Sequence, residues 1–453
     1  MTGHSEDTTN IIDNEVTSGP DMELSTETTP ITKEKKTVGL GVAISTSFLV
    51  GELAGTGMLA LPSAIVNAGW VGLPMIALFA VLACYSSVIL GKCWNMAQER
   101  WPKFRVPVRD PYIALGEEGF GKPMRYAIRA SIYLLHIGST VVFLLIASQN
   151  IQSLLREWSA TNFSFCYWLV IITLFLVPLT WLGTPKDFWP VATAAGVVTA
   201  IACLLIVIAI GTDPREIKPV HSSPNFQSFF LSFGTMLFAV GGTSIVPTVQ
   251  HDMKNPKKFH LVAISAYTIM TILYMPVSAV GYFAYGDSVQ TNILQSLPQG
   301  GLRVAAELFI TSHLVLAYVI LFNPVTQDIE ELLKVPLKFS WQRVLIRITL
   351  SGLVLFIGLT IPRFGPILDL IGGSAMCFLT FVAPPLLYLK FHHMKGEWVD
   401  KPLPMYIKIF NGIVIFIGVI GGIAASWSAV REIMVTATFV PPCYINATAS
   451  ENP

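Results

Sequence analysis

GELAGTGMLALP, residues 51–62, is the stretch on which the fold turns. It lies inside an apolar run that begins near Val38, yet it places Gly51, Gly55, Gly57 and the carboxylate Glu52 within a few residues of one another. Glycine inside a helix costs about 1 kcal/mol relative to alanine. Gly55-Thr56-Gly57 therefore marks where a helix here comes apart most easily, and Pro62 soon afterwards lacks a backbone donor.

The surroundings say what kind of helix it is. The 453 residues are 53% hydrophobic and 13% charged, with a mean hydropathy of +0.61. A soluble domain carries about 25% charge. Apolar runs of membrane-crossing length recur along the chain, which makes it an all-α polytopic membrane protein. Eleven spans are expected at 38–64, 70–97, 124–154, 166–183, 188–211, 226–250, 260–286, 302–325, 343–361, 365–390 and 405–430. Together, 38–430 forms the transmembrane domain. Residues 1–37, rich in Ser, Thr, Asp and Glu, read as a disordered cytosolic tail with no signal-peptide pattern, and 431–453 as a short extracytosolic tail.

Lysine and arginine set the orientation. With the N-terminus in the cytosol, 23 of the 29 Lys and Arg residues fall inside and 6 outside. The same scheme puts both glycosylation sequons, Asn162-Phe163-Ser164 and Asn446-Ala447-Thr448, outside, where that modification occurs. Cys166 and Cys443 also fall on the oxidising side, where a disulfide can persist; two separate thiols are the other reading. The six cysteines show no metal-ligand spacing, and no metal or cofactor is expected. The near-neutral net charge and the lack of a basic, aromatic-interleaved patch give no hint of nucleic acid.

A second interruption, Gly241-Gly242-Thr243 followed by Pro247, sits in the sixth span. If spans 1–5 and 6–10 are two copies of one inverted repeat, the two breaks occupy matching places. Backbone at membrane depth stays unwound only where it lines a cavity, and paired breaks of this kind point to a transporter's binding site. A half-helix beginning near Met58 offers amide groups and its positive end to a carboxylate. Carbonyls freed near Ala54 and Gly241 accept from an ammonium. A small amino acid carries both groups on one carbon. The bland alternative is that the glycines only let helices pack closely.

Several stretches make the chain resemble the amino acid/auxin permease superfamily, which includes proton-coupled and vesicular amino acid transporters. They are GTGMLALPSAIVNAGWVG (55–72), YIALGEEGFGKPMRY (112–126), GYFAYGDSVQTNIL (281–294) and PRFGPILDLIGGSAMCFLTFVAPPLLYLK (362–390). The resemblance covers roughly 37–430. It implies eleven helices of the inverted-repeat type, a cytosolic N-terminus and amino acid transport by alternating access. It also implies a substrate lying against Thr56, Gly57, Met58 and the sixth-span break. Adding neighbours, the expected binding set is Gly55, Thr56, Gly57, Met58, Leu59, Phe238, Gly241, Gly242, Thr243 and Ser244. Sodium-coupled members share an Asn a few residues before the glycine pair and use a span 8 hydroxyl. Gly51-Glu52 stands in the Asn position here, although Thr311 and Ser312 remain, so a proton or no coupling is favoured over sodium.

Ionisable groups inside a span are costly and point to function. Glu52, three residues before Gly55, is the first candidate for carrying a proton. His313 is a further ion-coupling candidate, beside Thr311 and Ser312, and His136 is the other intramembrane imidazole. Glu307 and Asp369 read as interfacial, and His251-Asp252 as a solvated helix end or inner gate. The leading expectation is a proton-coupled amino acid transporter; an uncoupled uniporter and an amino-acid-sensing receptor are the alternatives. An enzyme is excluded by the lack of any Ser/His/Asp set, H-E-x-x-H or paired carboxylates at membrane depth.

Overall fold

The structure is a computed structural model that describes residues 39–106, 108–159, 163–181, 189–214, 218–336, 340–396, 398, 402–439 and 441–447. The expected tail at 1–37 lies outside them. Among the described residues the protein is an all-helical membrane bundle whose only strand-like feature is an isolated bridge between Leu40 and Met253.

The first predicted span is two helices, α1 (Val42–Leu53) and α2 (Gly57–Ala68). Helix α3 (Gly72–Arg100) follows, then the short α4 (Pro111–Phe120) and the long α5 (Lys122–Ser159). Next come α6 (Phe165–Trp181) and α7 (Trp189–Gly211). The sixth predicted span is again divided, into α8 (Phe226–Val240) and α9 (Val246–Asp252). The chain continues through α10 (Phe259–Tyr285), the single turn α11 (Ile293–Ser296), α12 (Gly301–Leu332) and α13 (Trp341–Thr360). Helix α14 (Phe364–Ile371) passes through two π-helical stretches, Gly372–Met376 and Phe378–Val382, into α15 (Ala383–His393). The last helix, α16 (Met405–Phe439), runs nine residues past the predicted boundary at 430. Charges such as Arg431 do not end a helix; Pro441-Pro442 do.

Nine helical stretches among the described residues are long and apolar enough to cross a membrane, while Val42–Leu53 and Phe165–Trp181 are shorter apolar helices. Large apolar side chains on the perimeter, among them Leu174, Phe175, Ile272 and Phe416, are exposed. In water that surface would be a liability; in lipid it is the solvated face.

Glycine sets how closely the inner helices approach. A Cβ on Gly51 would lie 1.7 Å from the Ala192 carbonyl oxygen of α7, and one on Gly57 would lie 2.4 Å from the Ala239 Cα of α8. Strand-like bonds join the two divided spans at one end: the Leu40 amide donates to the Asp252 carbonyl (2.8 Å) and the Lys254 amide to the Leu40 carbonyl (2.9 Å). At the far end of α16, a disulfide between Cys166 and Cys443 ties the C-terminal segment to the start of α6. The Ser164 hydroxyl donates to the Ala447 carbonyl beside it.

Candidate functional site

Helix α1 stops at Leu53 because Ala54 turns out of the helical region (φ −75°, ψ 88°). Three residues are non-helical before α2 begins at Gly57. An opened backbone needs new partners in lipid, and Tyr274 of α10 supplies them. Its hydroxyl accepts from the Gly55 amide (3.2 Å) and donates to the Leu53 carbonyl (3.2 Å). Thr56, next in line, is 1% exposed, and its hydroxyl has no hydrogen-bond partner among the described residues.

The second break is built differently. Helix α8 ends as Gly241 extends (φ −74°, ψ 157°), and a 3-10 turn, Thr243–Ile245, leads into α9. Pro247 sits in the first turn of α9, where a missing amide hydrogen is harmless. The Thr243 hydroxyl donates to the Leu379 carbonyl (2.8 Å) and lies 3.2 Å from the Thr380 hydroxyl. This break is thereby fixed to the π-helical part of the tenth predicted span. The two breaks also touch, since a Cβ on Gly242 would fall 1.6 Å from Leu53 Cδ2.

Between them lies a cavity of about 70 Å³. Its wall takes Glu52, Gly55, Thr56 and Gly57 from the first break, and Phe238, Gly241, Gly242 and Ser244 from the second. The N-terminal end of α2 and the C-terminal end of α8 meet here, so the cavity has a positive and a negative dipole end. Glu52 and His136 are its ionisable residues, and neither Lys nor Arg lines it among the described residues. Gly55 leaves room: a Cβ there would meet only Phe143 Cζ, at 3.8 Å.

A second cavity of about 270 Å³ adjoins the first, and the two share Glu52, His136, Ser244, Ile245 and Leu321 in their walls. Its other residues include Arg109, Asp110 and Asp328, so we call it the vestibule. A third cavity of about 500 Å³, lined by Ser63, Asn67, Thr235, Asp287, Asp369 and Glu432 among others, shares no wall residue with the central one. Helices α8 and α14 pack closely beside it: a Cβ on Gly234 of α8 would lie 2.4 Å from the Asp369 carbonyl oxygen.

The structure sorts the predicted residues. Gly55, Thr56, Gly57, Phe238, Gly241, Gly242, Ser244 and Glu52 share the central wall. Met58 and Leu59 are fully buried in helix packing instead, and the Thr243 hydroxyl is turned to Leu379. Thr311 accepts from the Asn150 amide (3.2 Å), and the exposed Ser312 donates to its own helix at Leu308 (2.8 Å). His313 packs against α7, its Nδ1 lying 3.3 Å from both the Ala195 carbonyl and the Thr199 hydroxyl. Three span 8 candidates thus lie apart from Glu52. Asn162 lies outside the described residues, and Asn446 is exposed.

Two residues read as interfacial are buried. Glu307 is paired with Arg303 (2.9 Å) and accepts from Ser153 (2.9 Å); Asp369 accepts from the Thr235 hydroxyl. A partner within reach makes each tolerable inside the bundle. His251 is also buried and meets Trp94 edge-on, with ring centroids 5.9 Å apart.

Sequence reasoning missed part of the wall: Leu135, Ser139 and Phe143 of α5, Ile245, Leu321 of α12, and Met376 in the first π-helical stretch. His136, Ser139 and Phe143 follow an i, i+3, i+7 spacing that places them on one helical face. That stripe was the available signal.

With this geometry in hand, comparison with known proteins gives concordant results. A family profile described as "Transmembrane amino acid transporter protein" matches residues 39–430. The chain is 24% identical over 394 residues to amino acid transporter AVT1C of Arabidopsis thaliana, covering 84% of this chain and 68% of that one. It is 26% identical to lysine histidine transporter-like 3 of Arabidopsis thaliana (84% and 88% covered). Against vacuolar amino acid transporter 4 of Saccharomyces cerevisiae the identity is 25% (81% and 55% covered). Among solved structures, MhsT in complex with L-phenylalanine aligns with a TM-score of 0.55 at 13% identity, covering 84% of this chain and 98% of that one. This last likeness is one of fold.

Proposed function

Because the chain belongs to the transmembrane amino acid transporter protein family, we propose that it carries small zwitterionic amino acids through the central cavity by alternating access, driven by protons. The observation that carries the proposal is Thr56: a buried hydroxyl without a partner among the described residues, in the wall of a cavity set between two opposed helix ends. The substrate carboxylate meets the first amides of α2 and the Thr56 hydroxyl. Its ammonium meets the last carbonyls of α8. A side chain bearing a carboxylate would find no basic partner, so neutral substrates are favoured.

Alternating access draws support from the cavities. The central one borders the vestibule through five shared residues and shares none with the third cavity. Reversing that asymmetry moves the site from one face to the other. Glu52 lies on the shared wall, where a carboxyl that takes up and gives off a proton is reached from either cavity. We assign the chain eleven crossings in a five-plus-five inverted repeat, with α1–α2 and α8–α9 as matching broken spans. The Lys and Arg distribution supports a cytosolic N-terminus and vestibule, with the sequons and the disulfide on the opposite face. A plasma membrane or a lysosomal or vacuolar one suits this arrangement, and the vacuolar name of the yeast relative favours the second.

Uptake of a panel of radiolabelled amino acids into liposomes, with and without an imposed pH gradient, tests the reading. Accumulation of small neutral amino acids only under the gradient, lost in Glu52→Gln, is expected. Uptake indifferent to the gradient would leave an uncoupled carrier; binding without flux would leave a receptor.

A further inference from the structure

The vestibule contains polar groups that the central site does not use. Asn323 of α12 is 3% exposed and lines this cavity, and neither its Nδ2 nor its Oδ1 has a hydrogen-bond partner among the described residues. A buried amide left without partners is costly and rare. The next residue, Pro324, has no amide hydrogen, so the Ile320 carbonyl one turn earlier loses its helical donor. Ile320 and Pro324 line the same cavity. Two neighbouring irregularities on one helix therefore leave two acceptors and a two-hydrogen donor at the same wall.

The remaining charges around that wall are unevenly engaged. Asp328 is held by Arg129 (3.5 Å) and by the Tyr133 hydroxyl, and Arg109 pairs with Glu331. Glu52 and Asp110 add carboxylates. Burial pushes the Asp110 carboxyl above its usual range, and Asp328 adds to the shift while Arg109, Arg129 and Arg125 oppose it. Phe48, Ile132 and Leu321 supply apolar surface. The site is thus rich in acceptors for an ammonium, has a donor for a carboxylate oxygen, and has room for an aliphatic side chain.

We propose that Asn323 and the freed Ile320 carbonyl form a second amino-acid subsite in the vestibule. There a neutral amino acid leaving or approaching the central cavity is held by its ammonium and one carboxylate oxygen. The inference rests on the transport reading and adds a separate station to it. Asn323 touches the substrate only on the vestibule side, so its loss acts on one face of the membrane.

Influx and efflux of radiolabelled L-alanine and L-leucine, measured on the full chain in liposomes of known orientation, give an apparent KM at each face. Asn323→Leu is expected to raise KM at the vestibule face at least fivefold and to change the opposite-face KM less than twofold. Asn323→Gln, which keeps the amide, should restore most of the loss. Equal changes at both faces, or none at either, overturn the subsite while leaving transport intact. If Asn323→Leu does not fold, the same one-sided comparison is made with Asn323→Ser. A wild-type chain that moves neither probe overturns the transport reading and the subsite together.

Discussion

The two breaks are spelled with nearly the same letters, Gly55-Thr56-Gly57 and Gly241-Gly242-Thr243, each with a proline downstream. They are held in opposite ways. At the first, a tyrosine from another helix takes up the opened backbone, and the threonine hydroxyl is left free at the cavity wall. At the second, the threonine itself is the tether, bound to the Leu379 carbonyl in a π-helical stretch. One break therefore leaves a donor open to the cavity, and the other is a fixed wall. Glycine permits a gap in a helix; the partner that satisfies the gap decides what it can bind.

The largest expected effect comes from the contact that presses the breaks together. Gly57→Val drives a side chain into Ala239, and uptake should fall more than about 100-fold, the equivalent of roughly 2.7 kcal/mol in the barrier. Near-normal uptake by this variant would break the idea that α2 and α8 approach through a bare backbone. Next, the two threonines should part company. Thr56→Val removes a hydrogen bond to a charged group, worth about 1.5–3 kcal/mol, so KM should rise about tenfold or more with little loss of thermal stability. Thr243→Val strands a buried carbonyl at a cost of about 1–3 kcal/mol and should lower the unfolding midpoint while KM holds. Matching profiles for the pair would erase the distinction drawn above. Tyr274→Phe strips both bridges from the first break and should reduce stability by about 1–2 kcal/mol, read from denaturation of the purified protein. Smallest is Gly55→Ala, which meets no close neighbour; uptake of glycine should stay within about twofold and that of larger amino acids should decline more.

Both breaks were legible because helix interruption is local and clustered glycines with a proline close behind mark it, whereas lone prolines such as Pro276 and Pro324 sit inside continuous helices. The membrane class followed from composition alone, and the family resemblance from four separate stretches. Which side chains face the cavity was less legible, since that depends on how each helix is rotated about its axis. Thr311 sits on the expected helix but turns to Asn150, while Leu321, ten residues later, reaches the cavity. Met376 reaches the wall from within a π-helical stretch, whose altered register shifts which residues face inward. Glu307 and Asp369 looked interfacial because both lie near the start of a span; Arg303, one turn before Glu307, and the sequence-distant Ser153 and Thr235 supply the partners that hold them inside the bundle.

The bond between Cys166 and Cys443 joins residues 277 apart. A ribosome adding roughly 5–20 residues per second needs about 14–55 s to make that stretch. Throughout that interval the earlier sulfur has no mate, and the later one emerges only after the final helix. Closure of this link therefore reports that synthesis has passed α16: a chain cut short before Cys443 cannot bear it, a difference that a gel run without reductant can read.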